Sequence, residues 1–173
     1  MNDFLENYSK TRTIEIKGDP NSIIISSKAK LYKYTIEALN NNISSKHLHL
    51  GIVPKRTIIR IEEGIKNKRV GLILNMNIQY DVLIDQETIR HIKKKSLSKD
   101  DAIKYVNIVG DVITNYDMVE YSVYKFKQHV LRFKKNTNDG HYIVITIISN
   151  SKRRFRVHTI FLLKKDYLIK KRS

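Results

Sequence analysis

The residues best suited to chemistry are a histidine on a short basic segment and a run of arginines and hydroxyls near the C-terminus. His91 lies in Ile84-Asp85-Gln86-Glu87-Thr88-Ile89-Arg90-His91-Ile92-Lys93-Lys94-Lys95. The second run spans residues 148–161 and holds Ser149, Arg154, Arg156, His158 and Thr159. An imidazole changes charge near neutrality and can move a proton, while fixed cations hold a phosphate. A helical histidine facing arginine and threonine on a sheet is the equipment of a metal-free phosphodiester-cleaving site. Each residue also has a plainer use. Helix-borne histidines are mostly surface residues, strand arginines mostly form a solvated face, and Ser149, Asn150 and Ser151 are turn residues.

The first segment is expected to be a helix because its ends are marked. Asp85 is a natural N-cap, with Ile84 before it able to pack against Ile89. Glu87 in the first turn and Lys93, Lys94 and Lys95 in the last suit the helix dipole. Ser98 with Asp101 three residues on has capping-box spacing and opens a further helix. Upstream, 12–17 and 22–26 read as a hairpin around Gly18-Asp19-Pro20-Asn21, followed by a helix at 28–41. His47–Gly51 alternates as a strand, and Lys55–Lys66, opened by Pro54, carries an apolar helical side.

The C-terminal third changes period to two. Residues 118–124, 128–134, 141–149 and 154–163 predict a four-stranded antiparallel meander, with a hairpin loop at 136–140 and helices on one face. The fold class expected is therefore α+β, with residues 1–45 an N-terminal hairpin and helix extension and 46–173 the main domain. Alternation buries Leu131, Phe133, Phe155, Val157 and Phe161 and exposes Arg132, Lys134, Arg154, Arg156 and His158 on the other face. Thr159 falls on the apolar side unless a bulge re-aims it. Tyr142, beside this basic strip, could stack on a single-stranded base.

Composition frames the partner. The 173 residues carry a formal net charge of +16 and 41% hydrophobic residues, enough for one ordinary core. Residues 1–45 sum to about +1, whereas 123–173 hold 14 Lys and Arg against Asp139 and Asp166 alone. Such a surplus repels itself, so a polyanion partner is expected to use it. Nucleic acid is favoured, although an anionic membrane or an acidic inhibitor protein would use the same field. Cysteine is absent, which removes disulfides and thiol-based metal or nucleophile chemistry. The six histidines are scattered and the acidic residues ungrouped, so no metal site and no cofactor are expected. No secretion signal or membrane span is legible, which predicts a cytoplasmic protein with no membrane partner.

The string Val82-Leu83-Ile84-Asp85-x-x-Thr88-Ile89-Arg90-His91-Ile92-Lys93, then Leu97-Ser98-Lys99-Asp100-Asp101, resembles phage-borne nucleases of the barnase–EndoU–colicin–RelE superfamily. These occur free-standing or fused to phage head-morphogenesis proteins of the MuF type. The tail resembles them again in Ser149-Asn150 and Arg156-Val157-x-Thr159-x-Phe161, as does Leu50-Gly51-Ile52-Val53-Pro54 upstream. The resemblance covers roughly 47–163. One departure is Ser96, where relatives commonly carry a second histidine.

The resemblance implies a barnase/RelE-like fold and a metal-independent endoribonuclease, encoded by a phage or mobile element and acting as a toxin in a bacterial cell. RNA, tRNA among the candidates, would be cut by attack of the ribose 2′-hydroxyl. His91 would be general base or acid, with His158 as alternative or partner acid. Arg132 and Arg156 would stabilise charge at phosphorus, Thr159 or Ser149 would orient the phosphate, and Lys94, Lys95, Lys134, Tyr142 and Arg154 would bind substrate. Two rivals remain: a non-catalytic phage accessory protein that binds nucleic acid, and an interaction module for an acidic immunity or inhibitor protein.

Overall fold

The computed structural model describes residues 13–26, 28–41, 46–66, 74–124 and 128–164. The chain runs β1 (Ile14–Lys17), β2 (Ile24–Ile25), α1 (Lys28–Leu39), β3 (His47–Val53), α2 (Lys55–Lys66), β4 (Tyr80–Asp85), α3 (Gln86–Lys95), α4 (Lys99–Thr114), β5 (Met118–Tyr124), β6 (Gln128–Thr137), β7 (Gly140–Ser149) and β8 (Arg154–Lys164). The strands form one eight-stranded sheet in the order β1-β5-β6-β7-β8-β4-β3-β2. Among the described pairings β4–β8 alone is parallel. The protein is thus α+β, and β5 to β8 follow one another as the expected meander, yet the sheet is twice as wide as the four strands foreseen.

Two local readings fail for identifiable reasons. The segments 12–17 and 22–26 make no hairpin: β1 pairs with β5 and β2 with β3, at opposite edges of the sheet. The turn residues between them are bound elsewhere, Gly18 N–H donating to Asp117 O (2.8 Å) and Asn21 N–H to Thr114 O (2.8 Å). The connection therefore crosses the end of α4 instead of closing on itself. β4 was not foreseen as a strand. Val82, Leu83 and Ile84 are apolar and buried in succession, so the strand shows no alternation, and its place is set by pairing with β3 on one side and β8 on the other.

The expected 136–140 loop is also shorter. Asn136 and Thr137 stay in β6, and the turn is Asn138-Asp139 ahead of Gly140. Gly140 has φ +140°, and a Cβ there would lie 2.0 Å from Leu163 O, so no other residue fits without strain.

The main core lies between the helices and one sheet face. Ile89 and Ile92 of α3, Val106, Val109 and Ile113 of α4, and Leu131, Phe133, Phe155 and Val157 of the sheet all belong to it. Ile14, Ile16, Leu31, Tyr34 and Ala38 join the same cluster, so the described part of 1–45 packs into the common core. β7 is apolar on both faces, and on the far side Ile143 and Ile145 form a second buried cluster with Val130 and Phe161.

That second cluster corrects the expected cationic strip. Arg132 lies opposite Ile145 and Arg156 opposite Ile147, so both arginines share the face away from the helices. They are separated by two strand spacings and two residues of offset, roughly 12 Å between Cα atoms, with apolar side chains between. Phe161, expected under the helices, lies on this far face too. The cause is a bulge in β8. Val157 opposes Thr146 and Thr159 opposes Ile145, so the β7–β8 register shifts by one residue at His158. Beyond it the alternation inverts, so Ile160 faces the helices and Thr159 and Phe161 do not.

Candidate active site

α3 begins where β4 ends, and Asp85 caps it by accepting a hydrogen bond from Thr88 N (2.7 Å). Ile89 and Ile92 bury one side of this helix. The pairing of β4 with β8 stops at Leu83 and Arg156; beyond it β7 continues along one edge of β8, while the other edge has no strand partner among the described residues. Thr88 fills the gap, its Oγ1 donating to Val157 O at 3.0 Å. That bond ties the first turn of α3 to β8 at the bulge. His91, three residues past Thr88, then comes beside His158, one past Val157. The imidazole centroids lie 6.3 Å apart with 35° between planes.

Burial and neighbouring cations favour the neutral form of both rings. Burial, then Arg156, His91 and Lys95, lower the pKa of His158 to about 4, with Asp85 pulling the other way. Burial, Lys95 and Lys94 lower that of the more exposed His91. The two histidines line a cleft of about 550 Å³ with Glu87, Thr88, Arg90, Lys94 and Arg156. The Arg156 guanidinium is 3.6 Å from Asp85 and its side chain is 40% exposed, so it has capacity for an anion. Together the cleft offers two imidazoles and a cationic wall, suited to a phosphodiester and its proton transfers.

The remaining predicted residues scatter. Ser149 and Arg154, cross-strand partners, line a separate cleft that shares Arg156. Arg132 is buried, paired with Glu120 (3.5 Å) and set over the Phe161 ring (6.0 Å), far from the histidines in the sheet. Lys134 binds the same carboxylate at 2.8 Å. Thr159 is buried, and its hydroxyl finds no hydrogen-bond partner among the described residues. Tyr142, expected beside the basic strip, packs in the helix-side core. Lys95 sits by Ser96 and Tyr105, where burial lowers its pKa. Ser96 donates to Ile92 O (2.6 Å) and ends α3.

Two contributors escaped sequence reasoning: the Thr88 hydroxyl and the ion pair of Asp85 with Arg156. A signal for the first existed. Thr88 stands among Ile89 and Ile92 on the apolar side of the helix, where a hydroxyl needs a partner. Among the described residues, no group of three or more His, Asp or Glu is placed to hold a metal ion.

The sequence profile of the family described as phage-Barnase-EndoU-ColicinE5/D-RelE like nuclease3 (PBECR3) matches residues 60–170. The chain belongs to this nuclease family. Both histidines and all the strands from β4 to β8 fall within the match, while β1, β2, α1 and β3 precede it. No curated protein and no solved structure matches this nuclease. No helix among its described residues is long and apolar enough to cross a membrane.

Proposed function

We propose that this phage-type nuclease is a metal-independent endoribonuclease that cleaves by transesterification. The observation that carries the reading is the His91–His158 pair, 6.3 Å apart beside Arg156, in a chain of a nuclease family. A hydrogen bond spans about 2.8 Å, so one phosphodiester can bridge two imidazoles at this separation. In the reaction the ribose 2′-oxygen attacks the adjacent phosphorus and loses its proton to one imidazole. The bond from phosphorus to the 5′-oxygen breaks, and that oxygen takes a proton from the other. The products are a 2′,3′-cyclic phosphate and a free 5′-hydroxyl, and no water is consumed.

His158, whose pKa of about 4 leaves almost no protonated form at physiological pH, cannot be the resting acid and takes the role of base. His91 is then the acid, since the negative charge of a bound phosphate raises the pKa of an imidazole beside it. Arg156 offsets charge growing on the non-bridging oxygens, and Lys94 adds to the field. Arg132 acts through the sheet, where Glu120 holds it, not at the phosphate.

The test is incubation with total RNA and with tRNA in EDTA. Wild type should cut, leaving cyclic phosphate ends. His91→Ala and His158→Ala should each lose ~10²-fold or more in rate. Cleavage at the wild-type rate by both variants, or loss of cleavage on chelation, would sink the mechanism. Toxicity on expression that His91→Ala relieves would support cellular RNA as the target.

A further inference from the structure

A second cleft, of about 240 Å³, meets the first at Arg156. Its floor is a single row across three strands. Leu83 of β4 lies opposite Arg156 of β8, which lies opposite Ile147 of β7. Leu83 is buried yet belongs to neither apolar cluster. Lys46, Lys152 and Arg154 line the rim. Asp85 lines it too and partly offsets Arg156 at 3.6 Å.

The rim is anchored. Lys46 O accepts from the first amide of α3, Gln86 N (3.3 Å). The turn that carries Lys152 is fastened at both ends, by Asp81 N–H to Arg153 O (2.8 Å) and by Tyr80 Oη to Asn150 Oδ1 (2.7 Å). Cations on fixed backbone above an apolar floor suit a flat ring that carries a phosphate. A carboxylate side chain would use the rim and leave the floor uncovered.

We infer that this cleft is a nucleotide subsite: it seats the base of the residue next to the scissile phosphate on Leu83 and Ile147, and holds that residue's phosphate with Arg154, Lys152 and Lys46. The inference rests on the polynucleotide reading above but does not require cleavage. Arg156, shared by both clefts, makes the path continuous from the histidine pair into the subsite.

The test uses the full chain and the double variant Lys46→Gln/Lys152→Gln, whose side chains are exposed and lie outside the histidine cleft. The probe is a labelled 2′-O-methyl RNA 12-mer, which cannot undergo transesterification. At low salt the variant should bind about tenfold more weakly, and its slope of log affinity against log salt should fall by about 0.7, the value for one single-strand phosphate contact. On cleavable RNA, KM should rise while kcat holds. An abasic 12-mer should bind wild type several-fold more weakly than the base-bearing probe.

An unchanged slope overturns the inference. So does equal affinity for the abasic chain, which would leave only diffuse attraction, or equal affinity for polyglutamate, which would favour an acidic protein. Inactivity of wild type toward RNA with the expected loss of slope would refute the ribonuclease reading and leave the subsite standing. Cleavage with an unchanged slope would do the reverse.

Discussion

Asp85 joins the fold to the site, so its replacement separates two effects. As N-cap it accepts from Thr88 N at 2.7 Å, and as counter-ion it lies 3.6 Å from Arg156. Loss of an N-cap acceptor costs about 1 kcal/mol. The ion pair, with side chains 40% and 23% exposed, adds roughly 0.5 kcal/mol after allowance for solvent screening. Asp85→Ala forfeits both, about 1.5 kcal/mol, or a Tm lower by roughly 3–6 °C for a chain of this size. Asp85→Asn keeps a good cap and loses the charge, so its Tm should fall by about 1–2 °C. Both substitutions remove the one carboxylate that raises the His158 pKa, so that ring should titrate lower than in wild type. Both also release Arg156, and affinity for a non-cleavable RNA should rise a few-fold. Urea unfolding and NMR titration of the imidazoles measure these quantities. Equal destabilisation by Ala and Asn would refute the capping argument, and a higher His158 pKa would refute the electrostatic one.

Acid sensitivity should come in part from His158. Its folded pKa of about 4 lies below the ordinary 6.5, so between those values the unfolded chain binds a proton that the folded chain does not, and stability falls as pH drops through that window. His91 shifts in the same direction, and His158→Gln should therefore flatten the decline in urea midpoint between pH 7 and 5; an unchanged decline would assign it to other groups. Thr88→Val should destabilise by about 1–2 kcal/mol, because Val157 O loses a buried donor, and should lower cleavage by letting α3 shift from β8; unfolding midpoints and rates check both, and neutrality in each would dismiss the tie. Glu120→Gln should destabilise by about 3 kcal/mol because Arg132 and Lys134 both rely on that buried carboxylate, whereas Arg156→Gln should change stability by less than about 1 kcal/mol and weaken RNA binding. The opposite ranking in denaturation and binding assays would make Arg132 the phosphate ligand.

What the chain alone determined is local and patterned. Asp85 and Ser98 cap α3 and α4 as their side chains require, and the period-two stretches became β5 to β8 in order. The basic surplus and the order of the motifs around His91 and Arg156 were sufficient to name the family that the profile match establishes. Tertiary structure decided what depends on partners distant in the chain. β1 and β2, read as a hairpin, went to opposite edges because β5 and β3 offered them hydrogen bonds. A register shift at His158 inverted the faces of Thr159 and Phe161, and alternation in the sequence carries no sign of such a bulge. Arg132 and Arg156 look alike in sequence; the first fell opposite Glu120 on β5 and was neutralised, while the second lies beside β4, half open to solvent. The meeting of His91 with His158, 67 positions apart, needs the parallel contact of β4 with β8 and the Thr88 bond, neither of which any local period encodes.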